Sequence, residues 1–267
     1  MNNIQIANET IKITAEGQYE VGASTIKLPA LDYKKAEVFS PENGTVLLEE
    51  DISRYFGENF CDIEVTLEDS FTAAQCLSKP MVMNFANAHK AGGGFRLGAN
   101  AQEEALCRCS TLYASINSTA AAEMYRYNNT HISPVESDYM LLSPEVCVFR
   151  DHHCQLLEQP FTVAVATLPA PNRRGAAILA SKKLISETMT RRIRIMLRIA
   201  AKHGYRDLVL GAWGCGAFGN SAADVSGFFK NVLIDEEYGR CFDRVVFAVY
   251  GRPDGKNVTE FRKTFEK

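Results

Sequence analysis

From residue 37 onward, short apolar runs alternate with longer amphipathic stretches. The runs at 37–40, 61–67, 81–86, 139–142, 146–149, 161–168, 208–213 and 245–250 are rich in β-branched and aromatic residues and read as strands. Those at 81–86, 161–168 and 208–213 are apolar almost throughout, which predicts central strands covered on both faces. Between them, Leu106, Cys109, Leu112, Tyr113 and Ile116 fall on one face of a predicted helix over 105–117. Ile185, Met189, Ile193, Met196, Leu197 and Ala200 do the same over 184–203, with Arg191, Arg194 and Arg198 toward the other side. Val225, Phe228, Phe229 and Val232 stripe a third helix over 222–234. Strands alternating with helices of this length predict an α/β domain with a mostly parallel sheet between helical layers. Its ligand site belongs outside the carboxyl ends of the strands. Residues 1–35 are polar with weak periodicity and read as an N-terminal extension or cover, which leaves 36–267 as the domain.

Composition narrows the class. A chain of 267 residues, 46% hydrophobic, carries enough apolar side chains for one large core. A net charge of −3 argues against general nucleic-acid binding, because little is available to neutralise many phosphates. No apolar run approaches the roughly 20 residues of a membrane span. The first residues lack the basic and apolar regions of a secretory leader. The eight cysteines are scattered through core-like segments, so free thiols in a reducing, cytoplasmic setting are expected.

Two loops carry the chemistry. The first follows the buried run 81–86 and holds Asn87 and Gly92-Gly93-Gly94; Gln102-Glu103-Glu104 then opens a helix. Three glycines let the backbone approach a ligand closely, and amides of such a turn beside a helix N-terminus favour anions. A carboxylic acid there is placed to protonate a leaving group. The plain alternative is a capping box from Asn100 to Glu103 with a Glu104–Arg108 surface pair. The second loop, Gly214-Cys215-Gly216-Ala217-Phe218-Gly219, leads to a helix that Ser221 and Asp224 would cap. It matches the dinucleotide fingerprint in form. A Rossmann oxidoreductase would, however, place an acid at the tip of the next strand, and the first acid after that strand is Asp254. The loop therefore reads as a diphosphate loop on another α/β sheet. Cys215 reads as packing, and Phe218 as either a core plug or a cover for a sugar or base. His152-His153-Cys154 looks metal-like but reads as surface, so no metal and no cofactor are expected.

Together these loops resemble the microbial-type poly(ADP-ribose) glycohydrolases, enzymes of macrodomain fold. The resemblance rests on Gly92-Gly93-Gly94, seven intervening residues, Gln102-Glu103-Glu104, and Trp213 through Gly219. The flanks Asn84-Phe85-Ala86-Asn87, Ser143-Pro144-Glu145-Val146 and Ala170-Pro171-Asn172 are also similar, and the likeness spans about 60–250. It implies a macrodomain-like three-layer α/β/α fold with a mixed, mostly parallel sheet. It implies Glu104 as catalytic acid, Glu103 as its ribose-holding partner and Asn87 on the distal ribose. Both glycine loops and Gln102 would hold substrate, and Phe218 would order the terminal ribose. Poly(ADP-ribose) or ADP-ribosylated protein is the implied partner, and ADP-ribose the product of an exo-acting hydrolase. The alternatives are a macrodomain that only binds ADP-ribose and one that removes mono-ADP-ribosyl groups. Adjacent helical residues point about 100° apart, so the two glutamates are expected to divide the labour, one moving the proton and the other positioning the sugar.

Overall fold

The computed structural model describes residues 1–266. A seven-stranded sheet has the order β3-β6-β7-β5-β8-β9-β4. Its strands are β3 (Glu37–Phe39), β4 (Asp62–Thr66), β5 (Met81–Ala86), β6 (Met140–Arg150), β7 (Leu156–Pro169), β8 (Asp207–Leu210) and β9 (Arg244–Ala248). The β7–β5, β5–β8, β8–β9 and β9–β4 pairs are parallel, whereas β3–β6 and β6–β7 are antiparallel. The sheet is therefore mostly parallel, as the alternation predicts, and mixed, as the resemblance implies.

Period-two alternation assigns each central strand to two cores. Met81 and Met83 pack on one side of the sheet and Val82 on the other. Leu208 and Leu210 oppose Val209 in the same way, and Val245 and Phe247 oppose Val246. The first core is closed by α7 (Lys182–Lys202), α8 (Ala222–Lys230) and α9 (Lys256–Phe265), through residues such as Met189, Phe229 and Phe261. The second is closed by α3 (Ser70–Ala74), α4 (Gln102–Cys109), α5 (Leu112–Ile116) and α6 (Ala122–Thr130), through Phe71, Leu106, Leu112 and Met124. Helix α2 (Pro41–Glu49) follows β3. This is a three-layer α/β/α arrangement.

Three local expectations are corrected. The helix expected over 105–117 breaks at Ser110, whose extended backbone bridges to Val148 while Thr111 N donates to Cys147 O at 3.0 Å. The runs 139–142 and 146–149 are one strand, because a register shift between Ser143 and Val146 absorbs Pro144 within the β6–β7 ladder. Arg198 is not on an open face: it is buried and donates to Leu47 O, Glu50 O and Tyr238 Oη.

Residues 1–35 form helix α1 (Asn3–Glu16) and a hairpin of β1 (Gln18–Val21) and β2 (Ser24–Lys27). The helix starts with reciprocal Asn2–Gln5 capping bonds and ends at Gly17. It buries only Ile6, Ala7, Thr10 and Ile13, a stripe too narrow to stand out in the sequence. Thr10 Oγ1 donates to Arg108 O at 2.7 Å and Asn3 Nδ2 to Gly98 O at 3.0 Å, which tie α1 to α4 and the loop before it.

Candidate active site

Glu103 and Glu104 stand in the first turn of α4, facing the carboxyl end of β5. Gln102 is the brace. Its Oε1 accepts from Phe85 N at 2.9 Å, and its Nε2 donates to Met83 O at 2.8 Å and Ser70 Oγ at 3.1 Å. The side-chain amide of Gln102 is thus spent on fixing the helix start against the central strand.

Both carboxylates are buried, Glu103 at 3% and Glu104 at 8% exposure. Glu103 Oε2 accepts from Asn87 N at 2.8 Å, and its Oε1 accepts from Asn84 Nδ2 at 3.3 Å. Burial pushes the Glu103 carboxyl from an ordinary 4.5 up to about 8; the Asn87 N–H and the Asn84 amide oppose the rise, and neighbouring Glu104 adds to it. Between those values the folded chain holds a proton that the unfolded chain has released. This contribution to stability is complete below the unfolded value and is lost as pH rises to about 8. Unfolding free energies of the wild type and Glu103→Gln from urea titrations, followed from about pH 5 to about pH 9, are expected to diverge, the wild type losing more by an amount on the order of a few kcal/mol. Parallel curves would show that Glu103 is ionised throughout.

Glu104 Oε1 accepts from Gly94 N and its Oε2 from Ala101 N, each at 2.9 Å. Glu104, rather than Glu103, therefore reaches back to the helix start. Asn100 instead accepts from buried Arg108, which also donates to Ala99 O at 2.6 Å. Neither the expected Asn100–Glu103 box nor the Glu104–Arg108 surface pair forms among the described residues.

The triple glycine serves this carboxylate pair directly. Gly93 has φ +54, and a Cβ on it would lie 2.6 Å from Glu104 Oε1 and 3.3 Å from Glu103 Oε2. Although neighbours on a helix diverge at Cα, the two long side chains converge over Gly93, the middle of the three glycines. Asn87 caps this turn through Oδ1, which accepts from His89 N and Lys90 N at 2.9 and 3.0 Å.

The second loop leaves β8 through buried Trp213, whose Nε1 donates to Leu168 O at 3.3 Å. Asn220 closes it, donating through Nδ2 to Pro171 O at 2.9 Å and through N to Gly214 O at 3.0 Å. Within the loop, the N–H groups of Gly216, Ala217 and Phe218 have no acceptor among the described residues. A Cβ on Gly216 would meet nothing within 4 Å. Consecutive free amides on an open backbone suit an anion. Phe218 is half-buried against the first core, and its carbonyl accepts from Arg173 N at 2.9 Å. Cys215 is packed, and burial pushes its thiol up to about 12. Only the Ser221 half of the expected Ser221–Asp224 box forms, with Asp224 N 3.4 Å from Ser221 Oγ.

A cavity of ≈ 800 Å³ opens where these loops meet. Strand ends contribute Phe85, Ala170, Ala212 and Ala248; the second loop contributes Gly214, Gly216, Ala217 and Phe218; α4 contributes Gln102, Ala105, Arg108 and Cys109. The lining includes neither the two glutamates, nor Asn87, Gly92, Gly93 and Gly94, nor Cys215 and Gly219. Sequence reasoning missed Met1, which precedes α1, Asn3 and Ile6, which belong to it, and Tyr250 and Asn257 after β9; all five line the cavity. It also passed over Asn84 as a working residue. An amide in an otherwise apolar strand was the only signal, and its partner Glu103 was not readable from it. His152 and His153 are exposed, and the described residues contain no cluster arranged for a metal ion. Nor do they contain a helix long and apolar enough to cross a membrane; all eight cysteines are free.

The family model for the catalytic domain of microbial-type poly(ADP-ribose) glycohydrolases (PARG) matches residues 7–151. The chain is 36% identical to the Thermomonospora curvata poly(ADP-ribose) glycohydrolase, with 98% of this chain and 99% of that one covered at a TM-score of 0.90. The same enzyme bound to the inhibitor ADP-HPD superposes at 0.87, with 37% identity over 98% of each chain. The Deinococcus radiodurans poly(ADP-ribose) glycohydrolase in complex with ADP-ribose is 38% identical, with 90% of this chain and 99% of that one covered at 0.82. No curated protein matches the chain. With a family match over more than half its length and a fold shared end to end with these enzymes, the chain belongs to the microbial-type poly(ADP-ribose) glycohydrolases.

Proposed function

We propose that Glu104 moves the proton with which this poly(ADP-ribose) glycohydrolase cleaves the ribose–ribose O-glycosidic bond. The observation that carries the assignment is the clamp on its carboxylate, set between Gly94 N and Ala101 N where the triple-glycine turn meets α4. Each carboxylate oxygen keeps further acceptor capacity beyond one backbone bond. Breaking the bond develops an oxocarbenium-like sugar. Glu104 protonates the departing ribose hydroxyl and, once ionised, accepts a proton from the attacking water. Glu103 is the sugar-holding partner, because a buried carboxyl that keeps its proton is able to donate a hydrogen bond to a ribose hydroxyl. The free amides of Gly216, Ala217 and Phe218 receive the diphosphate. No protein metal or cofactor takes part in this scheme.

Poly(ADP-ribose) and ADP-ribosylated proteins are the proposed substrates, and ADP-ribose the product. Residues 1–35 act as an extension on the 36–267 domain, closing one side of the cavity with Met1, Asn3 and Ile6. The deciding measurement compares turnover of labelled polymer with that of mono-ADP-ribosylated protein. Faster removal of the mono-ADP-ribosyl group would reassign the substrate, and binding without turnover of either would leave a reader of ADP-ribose.

Phe218 bears on cleavage mode. Its half-buried ring lines the cavity and would cover the terminal ribose, so the enzyme would hold the polymer's free end and release single units. Phe218→Ala is expected to lower the rate more than the affinity, because a reacting sugar misplaced by an ångström costs on the order of a hundredfold. Chromatography of early wild-type products should show mainly ADP-ribose. Mainly oligomers at low conversion would overturn the exo-acting mode.

A further inference from the structure

The turn between β6 and β7 brings Cys154 to the end of α4, where Cys109 closes that helix. Cys109 Sγ donates to Asp151 O at 3.2 Å, and Cys154 N donates to the same oxygen at 2.9 Å. Both cysteines line the cavity, Cys109 buried and Cys154 half-buried.

The position of Cys154 is costly and enforced. Its φ is +62, in the left-handed region that disfavours a residue with a Cβ. The turn nonetheless fixes it there. Its carbonyl accepts from Arg150 Nη1 at 2.9 Å, while Asp151 Oδ1 accepts from His153 N at 2.9 Å and Gln155 N at 2.8 Å. Local strain of this kind persists where surroundings over-determine it, often at working sites.

Two cations stand near the sulfur, Arg108 and Arg150, the second also paired with Glu9. Arg108 and Arg150 are buried, and the Nε atom of each has no acceptor among the described residues. The adjacent Cys109 side chain and these guanidinium groups draw the Cys154 thiol down to about 6 against its burial. The nearby Cys154 side chain, then burial, hold Cys109 well above its ordinary value.

We propose that Cys154 is a peroxide-reactive thiol and Cys109 its resolving partner. The Cys154 thiolate attacks one oxygen of hydrogen peroxide; an S–O bond forms, the O–O bond breaks, and the departing hydroxide leaves as water after taking a proton. Cys109 then gives up its proton and its sulfur attacks the Cys154 sulfenic acid. The S–S bond forms, the S–O bond breaks and a second water departs. The two thiols lose two electrons and two protons, and peroxide is reduced to two waters.

The disulfide fixes the end of α4 to the β6–β7 turn and removes the thiolate that Arg108 faces. Arg108 holds Ala99 O and the Asn100 side chain, and the next residue, Ala101, donates to Glu104. Oxidation therefore lowers turnover, an effect that rests on Glu104 being the reacting acid; the thiol chemistry does not.

The test uses the full chain and stoichiometric hydrogen peroxide, with peptide mass spectrometry after alkylation. The first product should be the Cys109–Cys154 cross-link, reversed by dithiothreitol. In Cys109→Ser, Cys154 should instead be trapped by dimedone. Should a serine variant fail to fold, iodoacetamide labelling of the unoxidised wild type at neutral pH should still modify half-buried Cys154 faster than exposed Cys76. Preferential oxidation of other thiols, or slow labelling of Cys154, overturns the assignment. Cross-linked protein should turn over polymer more slowly by on the order of tenfold and recover with reductant. Unchanged turnover in fully cross-linked protein overturns the coupling while leaving the thiol pair.

Discussion

Replacing Glu104 with Gln is expected to reduce polymer turnover by about a thousandfold while ADP-ribose affinity stays within about tenfold. The substitution keeps the length and planarity of the side chain. The amide oxygen of Gln retains the bond from Gly94 N, now 2.9 Å to Glu104 Oε1. Its NH₂ group, however, would oppose Ala101 N, a donor against a donor, where Oε2 now accepts. Losing this part-buried bond beside exposed Ala101 costs on the order of 1 kcal/mol of stability, so the variant should melt slightly earlier yet remain folded. The rate loss has a separate cause: an amide neither delivers a proton to the leaving hydroxyl nor takes one from water. Product release from labelled polymer gives the rate, and calorimetric titration gives the affinity. Turnover near that of the wild type would remove Glu104 from proton transfer.

The sequence displayed the frame of this site far better than its interior. The central strands were legible because β5, β7 and β8 are covered on both faces and so leave uninterrupted apolar runs. The two loops were legible because glycines stand at the carboxyl ends of β5 and β8, where the topology gathers ligands. Helix α1 was not, since only four of its residues are buried and one of them is Thr10. The placement of the two carboxylates was not legible either. A local rule about Cα directions predicted divergence, whereas the reach of two glutamate side chains over a bare glycine produces convergence. Asn84 and the Cys109–Cys154 pair depend on contacts between segments distant in the chain, which hydropathy patterns do not encode. The resemblance carried by the two loops supplied the family, but the contacts of Gln102, Glu104 and Arg108 had to be seen in three dimensions.

Gly93→Val should be nearly as damaging as loss of the acid itself. The triple glycine invites the reading that its bare backbone makes room for the substrate's diphosphate. The geometry supplies a nearer obstacle. At φ +54 a β-branched residue is in a backbone region that costs roughly 1–2 kcal/mol. Its Cβ would stand 2.6 Å from Glu104 Oε1, so the carboxylate must leave or the turn must open. Either movement breaks the Gly94 N–Glu104 bond and disturbs Glu103, whose Oε2 lies 3.3 Å from the same point. A displacement of about an ångström at both carboxyl groups is expected to reduce turnover by at least a hundredfold. ADP-ribose binding should weaken as well, because the first glycine turn no longer presents the same surface. Gly93→Ala separates the causes: it carries the same Cβ without the branch, so a collision with Glu104 predicts a comparable rate loss in both variants. A much milder alanine variant would point to the valine branches blocking the ligand instead. Circular dichroism must first establish that each variant is folded. A folded valine variant with near wild-type turnover and unchanged calorimetric affinity would contradict the role assigned to Gly93.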